Sequence, residues 1–342
     1  MPRDARVSVI IPCRDAEAFL AEAIESVLAQ RGVEVEPIVV DDGSRDRSWQ
    51  IAQSYGALIV VVRQEARGAC HARNHGARRA TGRYLMFLDA DDVLAEDALA
   101  AQVDALGGRT DRIAACAWSW LRRAGGRWRV VPGLPIEPPG GDPIAAWLDG
   151  WYIPPCALVW PREAFRRTGG WDETILADQD GDLMLRALIG GVGLAAAPGG
   201  HAYYRDHGTA RLSVSKNVAP EALRSRRRVI ERAADALRAA GRAAQYRPSI
   251  GRAFHRLAKM AYDADREFAL DCERQAERLA GRRAITGPAA HRLLCRLVGL
   301  DRERRIARAI RRTGVLRLGR RIRLSLRPAH GRARTGGRAP TP

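Results

Sequence analysis

Three short segments hold polar residues of a kind that can do chemistry: Pro12-Cys13-Arg14-Asp15, Asp41-Asp42-Gly43-Ser44 and Asp89-Ala90-Asp91-Asp92. Each follows an apolar run. A carboxylate at the end of a buried strand is costly to desolvate unless it binds something. Capping of the next helix accounts for Asp41 and Asp46. Three aspartates in the four positions 89–92 exceed what a cap needs and point to a bound cation. A hard divalent cation takes oxygen ligands, and magnesium keeps several waters while using one or two carboxylates.

Periodicity shows the elements that must position these loops. Val7-Ser8-Val9-Ile10-Ile11 reads as a buried strand. Residues 17–30 place Leu20, Ile24, Val27 and Leu28 on one helical face, with Gly32 past the end. Residues 35–40 read as a second strand and a helix starts after Asp46. Residues 57–62 form a third strand, 68–80 a helix and 84–88 a fourth strand. Strands alternating with helices imply a mostly parallel sheet with helices on both faces. Ligands of such sheets bind at the carboxyl ends of the strands, where the three polar segments fall.

The pattern changes beyond residue 110. Residues 113–120 and 127–131 are strand-like and are followed by Pro- and Gly-rich loops. A helix is expected from about Asp180 to Ile189, then a strand at Ala202-Tyr203-Tyr204. All eight tryptophans precede residue 172. After residue 217 the chain turns helical, with Ala/Arg/Leu segments at 219–241 and 249–283 and shorter ones towards residue 312. Beyond Arg327 only a Gly-, Pro- and Arg-rich tail remains, a composition that favours disorder. There is no internal repeat.

A chain of 342 residues corresponds to about two domains and buries a core without staples. Its six cysteines form no CxxC pair and no zinc spacing, which suggests reduced thiols in a cytoplasmic protein. No apolar run is long enough for a membrane span, and Met1-Pro2-Arg3-Asp4 opens no signal core. Charge is unevenly divided. Residues 1–215 hold 24 basic and 28 acidic residues, net −4; residues 216–342 hold 33 and 11, net +22. Only Lys216 and Lys259 are lysines, so the arginine excess reflects compositional bias as much as guanidinium chemistry.

Four segments together resemble the family-2 glycosyltransferases of the GT-A (Rossmann-like) fold. They are Val7-Ser8-Val9-Ile10-Ile11-Pro12, Val39-Val40-Asp41-Asp42-Gly43-Ser44, Ala72-Arg73-Asn74-His75-Gly76 and Phe87-Leu88-Asp89-Ala90-Asp91-Asp92, in the family's order and spacing. The resemblance covers about residues 6–215 and implies α/β architecture. The implied organisation is 1–110 as the nucleotide-sugar-binding half, 111–217 as the acceptor-binding half, 218–312 as an all-α basic extension and 313–342 as a basic tail. The implied reaction moves a sugar from a nucleoside-diphosphate sugar, UDP-linked by preference, to an acceptor hydroxyl with inversion. A glycan or lipid-linked sugar would be the acceptor.

By family position Asp89 and Asp91 form the DXD motif. Asp91 would be a direct ligand of Mg or Mn, Asp89 would bind the ribose or the metal through water, and Asp92 would support them. Asp42 would accept a hydrogen bond from the base, with Asp41 supporting the loop. Pro12 and Arg14 would flank the base, the guanidinium stacking where many relatives have an aromatic residue. Arg73 would reach the ribose or diphosphate. The stretch Gln179-Asp180-Gly181-Asp182 aligns Asp180 with the catalytic base, with Asp182 as its rival on the acceptor side. Arg205 and His207 resemble a family Tyr-Arg-x-His segment that folds over the diphosphate, with Ser213 and Ser215 just beyond. Trp151 and Trp171 are the aromatic candidates for the acceptor cleft. His71 and His75 have the spacing of a metal pair but no third ligand, and read as helix surface.

Two other classes compete. A nucleotidyltransferase would need a Gly-rich loop after the first strand, and Pro12-Cys13-Arg14-Asp15 has no glycine. A non-enzymatic binding protein driven by the basic segment leaves the Asp clusters unexplained. A processive synthase would carry Gln-x-x-Arg-Trp and membrane spans, and the sequence has neither. The fourteen arginines of residues 302–342, with Ile322, Leu324 and Leu326 alternating between them, suit the inner face of an anionic membrane. Nucleic acid is the weaker partner for the same charge, and a solvated tail without a partner is the bland alternative.

Overall fold

A computed structural model describes residues 5–207 and 217–312. Contacts divide the chain into two compact units, Met1–Thr286 and Gly287–Pro342.

In the first unit the strands are β1 (Arg6–Cys13), β2 (Glu34–Asp41), β3 (Val60–Arg63), β4 (Tyr84–Phe87), β5 (Val93–Leu94), β6 (Arg112–Ala124), β7 (Arg127–Pro132), β8 (Leu158–Pro161) and β9 (Gly193–Asp206). The helices are α1 (Leu20–Leu28), α2 (Ser48–Ser54), α3 (Ala69–Arg79), α4 (Ala98–Leu106), α5 (Pro143–Leu148), α6 (Arg162–Arg167), α7 (Gln179–Ile189), α8 (Pro220–Ala239), α9 (Ala243–Ala261) and α10 (Arg266–Ala280). Among the described residues one sheet forms, in the order β3-β2-β1-β4-β8-β6-β9-β5, with β7 on β6.

The sheet is parallel where the sequence predicts it, from β3 through β2 and β1 to β4. Val7, Val9, Ile10 and Ile11 of β1 and Ile38, Val39 and Val40 of β2 are fully buried. Burying each such side chain stabilises the fold by about 1.5–3 kcal/mol. Cys13 pairs with Asp41 across the register, and Asp41 with Arg63, so the loops after β1 and β2 leave from one edge. The second half adds antiparallel pairs to this mostly parallel sheet. Only β6 and β9 pair in parallel there, while β8 enters antiparallel between β4 and β6. Four apolar residues after Pro154-Pro155 carry no period, so β8 is invisible to patterning.

The expected break at 217 is not a unit boundary, because α8, α9 and α10 belong to the first unit. Their apolar stripes explain this: Leu223, Val229, Ile230 and Leu237 of α8 are buried, as are Ile250, Phe254 and Leu257 of α9. The single helix expected over 249–283 is two. Asp265 caps the second by accepting the N–H of Phe268 at 3.0 Å.

The second unit contains α11 (Ala289–Arg312), broken at Gly299, where φ is 78°. Within it His291 pairs with Glu303 at 2.9 Å. The basic tail at 313–342 and the expected lid residues Ser213 and Ser215 lie outside the described residues.

Candidate active site

Helix α3 approaches the sheet closely because Gly76 faces it: a Cβ there would sit 2.4 Å from Ile10 Cγ2. That approach carries Arg73 and Asn74 to the carboxyl edge of the sheet. Arg73 is 5% exposed. Its Nη2 donates to Oδ1 of Asp89 at 2.6 Å and its Nη1 to Oε1 of Gln179 at 3.1 Å. The guanidinium lies 4.5 Å from the centre of the Trp171 ring. One buried cation thus joins the aspartate turn after β4 to the start of α7.

Asp180 stands in the first turn of α7, close to this cation. Burial pushes its carboxyl up to about 6; Arg73 opposes the shift, and Asp89 and Asp178 add to it. Among the described residues its carboxylate accepts no hydrogen bond. A carboxylate that titrates near neutrality and is not tied to the protein can take and release a proton.

Asp89 and Asp91 keep side-chain exposures of 29% and 33%. Asp92 is 1% exposed. Its Oδ1 accepts the N–H of Arg205 at 2.8 Å, while its Oδ2 is buried without a hydrogen-bond partner. Burial and then the charges of Asp91 and Asp89 push its carboxyl well up. Strand β5 ties the segment after these aspartates to β9, which brings Tyr204, Arg205 and His207 over them. His207 Nε2 lies 2.7 Å from Oδ2 of Asp91. Arg205 is itself spent on structure. It pairs with Glu22 at 2.7 Å and is stacked between the rings of Phe19 and Trp128, at 4.7 and 4.8 Å. These contacts fix the end of β9.

At the ends of β1 and β2, Arg14 is exposed and Pro12 half-buried. Gly43 turns with φ 73°, and a Cβ there would lie 3.1 Å from the backbone N of Ala66. Asp42 is 3% exposed. It accepts from Nε2 of Gln64 at 2.7 Å and from the N–H groups of Arg67 and Gly68 at 2.8 and 2.9 Å. Asp41 pairs with Arg63 at 3.1 Å. Asp46 accepts the N–H of Ser48, the first residue of α2, at 2.9 Å. His71 and His75 are not bare helix surface. Both Nδ1 atoms reach Oε1 of Gln64, at 3.0 and 2.8 Å, and so hold the residue that bonds Asp42.

The acceptor side differs from the sequence reading. Trp151 is 5% exposed and its Nε1 donates to the carbonyl of Pro135. Trp171, 4% exposed, lies beneath Arg73 and against Phe87. Both are packing residues, because a large ring recovers more by burial than by waiting at a surface. Asp182 is 3% exposed, with its oxygens on Arg186 at 2.7 Å and Arg232 at 3.3 Å. The half-buried aromatic wall is instead Trp120, Tyr152 and Tyr204, with Trp120 5.0 Å from Tyr204 and 6.3 Å from Tyr152. Burial raises the Tyr204 phenol well above its ordinary value, with Asp92, Asp89 and Asp180 adding to the shift, so it stays a donor. Alternation along β9 was the available signal, since Tyr204 and Ala202 share a face.

The family model for glycosyl transferase family 2 matches residues 8–159. An uncharacterized glycosyltransferase of Rickettsia typhi is 31% identical over 185 residues, 53% of this chain and 58% of the relative. The minor teichoic acid biosynthesis protein GgaB of Bacillus subtilis is 43% identical over 95 residues, 26% of this chain and 11% of that protein. The chain thus spans less than two thirds of these relatives. The structure of S. aureus TarS in complex with UDP-GlcNAc superposes with a TM-score of 0.55 at 16% identity, covering 80% of this chain and 90% of that one. GalNAc-T7 with UDP, GalNAc and Mn2+ superposes at 0.51 and 18% identity, covering 68% and 48%. Residues 8–159 thus match glycosyl transferase family 2, and the fold is shared with these GT-A structures.

Proposed function

We propose that this protein is an inverting, divalent-cation-dependent glycosyltransferase that moves a sugar from a UDP-sugar to a hydroxyl of a cell-envelope glycan or lipid-linked sugar. The observation that carries the reading is Asp180, a carboxylate without hydrogen bonds beside the buried Arg73 that grips Asp89. The residues at 89–92 fit a hard cation: two are partly open, and the third has an orphaned buried oxygen and a proton affinity raised by burial and then by the charges of Asp91 and Asp89. Asp91 would hold Mg or Mn, with Asp89 beside it and His207 in reach. When bound, the cation offsets charge on the departing diphosphate.

The protein's own groups do the rest. Asp180 takes the proton of the acceptor hydroxyl as that oxygen attacks the anomeric carbon. Arg73 keeps the aspartate turn and the base in register. Pro12, Arg14, Asp41 and Asp42 frame the nucleoside. Trp120, Tyr152 and Tyr204 offer flat faces to the acceptor sugar and keep water, the competing nucleophile, away. Among the described residues no helix is long and apolar enough to cross a membrane. The net +22 segment would bring the enzyme to an anionic membrane surface where a lipid-linked acceptor resides.

The reading is tested by incubating the protein with a panel of nucleotide sugars and Mg or Mn, and following the anomeric signal of the product by NMR. An inverted product from a UDP-sugar is expected. A product with the donor's own configuration, or full turnover in EDTA, overturns it.

A further inference from the structure

Helix α8 lies beyond the residues matched by the family model, yet it packs on the back of the segment that carries Asp180. Ser225, 4% exposed, accepts the N–H groups of Leu176 and Ala177 at 3.0 and 3.1 Å and donates to the carbonyl of Ala177 at 3.1 Å. Two turns further on, Nη1 of Arg232 donates to Asp172 and reaches Oδ1 of Asp182 at 3.3 Å. The same segment is gripped from the other side by α3. Asn74 exchanges hydrogen bonds with the backbone of Trp171, at 2.8 and 3.0 Å, and Arg73 holds Gln179. Between the two grips Asp178 adopts a left-handed backbone, φ 65° and ψ 38°. A non-glycine residue keeps that conformation only where its surroundings impose it.

We propose that α8 is the positioning element of the catalytic base: Ser225 and Arg232 fix residues 172–182 so that the Asp180 carboxylate is held beside Arg73. Neither residue touches donor, cation or acceptor; both act through the turn before α7. The proposal rests on Asp180 being the base. It gives the extension a role in turnover that the donor motifs, all of which precede residue 216, do not reveal. A protein shortened to those motifs would keep its nucleotide site and lose the register of its base.

The test uses the full chain and four proteins: wild type, Ser225→Ala, Asp180→Asn and the double variant, with Arg232→Gln as an independent second probe of α8. Turnover, donor KM and the melting transition are measured for each. Ser225→Ala and Arg232→Gln should each lower kcat on the order of 10- to 100-fold, the scale of a misplaced reacting group. Donor KM should stay within about twofold, because the nucleotide loops do not contact α8. In the Asp180→Asn background Ser225→Ala should add no further loss, since the group it positions is gone. Wild-type kcat in both α8 variants, an additive loss in the double variant, or a parallel loss of donor binding overturns the proposal. If Asp180→Asn alone keeps full turnover, the base assignment fails first, and the single α8 variants then read only stability.

Discussion

Asp42 and Asp180 are both carboxylates at the rim of one cleft, and they are treated in opposite ways. Asp42 receives three donors from the loop at 64–68, two of them backbone N–H groups. Among the described residues Asp180 receives none, and burial pushes its carboxyl up to about 6. Donors stabilise a carboxylate as an anion and fix it in place, whereas burial without donors keeps its affinity for a proton. The first arrangement suits a residue that shapes a binding loop. The second suits one that must exchange a proton during each turnover. Full satisfaction of a polar group and reactivity are alternatives here, and the fold gives one to each carboxylate.

The largest effect should come from the group shared by neither arrangement. Asp91→Ala should abolish transfer and weaken nucleoside-diphosphate binding in Mg or Mn, since the departing charge then lacks its counterion. Calorimetric titration of UDP with and without EDTA reads this, and equal affinity in both would break the assignment. Asp180→Asn should reduce turnover on the order of 10²–10⁴-fold with donor affinity nearly unchanged. Loss of donor binding would instead make Asp180 a ligand or a support. The same variant should melt higher than wild type above pH 6. The sign follows from linkage: a carboxyl raised in the folded state opposes folding once ionised, so stability from this group falls as pH rises through the ordinary carboxylate range towards 6.

A pH profile sharpens the contrast. The rate in the wild type should decline about tenfold per unit below about pH 6, where the base becomes protonated. A flat profile down to pH 5 would show that Asp180 is not the group that titrates. Asp42→Asn should do the reverse of Asp180→Asn. It turns an amide N–H₂ towards one of the buried N–H donors, destabilising the fold by about 1–3 kcal/mol and raising donor KM with little change in kcat. A kcat loss at constant KM would erase the distinction between the two carboxylates. The smallest effect concerns residues 313–342. Their deletion should leave transfer to a soluble acceptor intact and weaken sedimentation with anionic vesicles, more so at low salt than at high salt. Undiminished vesicle binding would end the membrane proposal.

Patterning read the parallel half of the fold almost element by element because both its faces are buried, so each strand is a continuous apolar run. Val7–Ile11 appeared as β1, 68–80 as α3 and the Asp-rich turns as strand ends. Patterning failed in the second half, where β8 has four residues and no period, and where Asp265, the cap that starts α10, was not read as a break within 249–283. Site residues followed the same divide. Asp42, Asp89, Asp91 and Asp180 are candidates that motifs in register single out. Gln64, Gln179, Glu22 and Tyr204 could not, because each matters only through a partner that is distant in sequence.

The sequence by itself determined which residues could do chemistry and on which edge of the sheet their loops emerge. Those properties follow from residue type, strand periodicity and the geometry of parallel crossovers, all of which are local. Tertiary structure alone decided which polar groups are spent. Asp182 and Arg205 look as free as Asp180 in the sequence, yet Arg232 and Arg186 consume the first and Glu22 with two aromatic rings the second. Nothing local specifies that a helix at 220–239 folds back to place Ser225 against Leu176 and Ala177. Burial, hydrogen-bond satisfaction and proton affinity arise from neighbours that only the folded chain brings together.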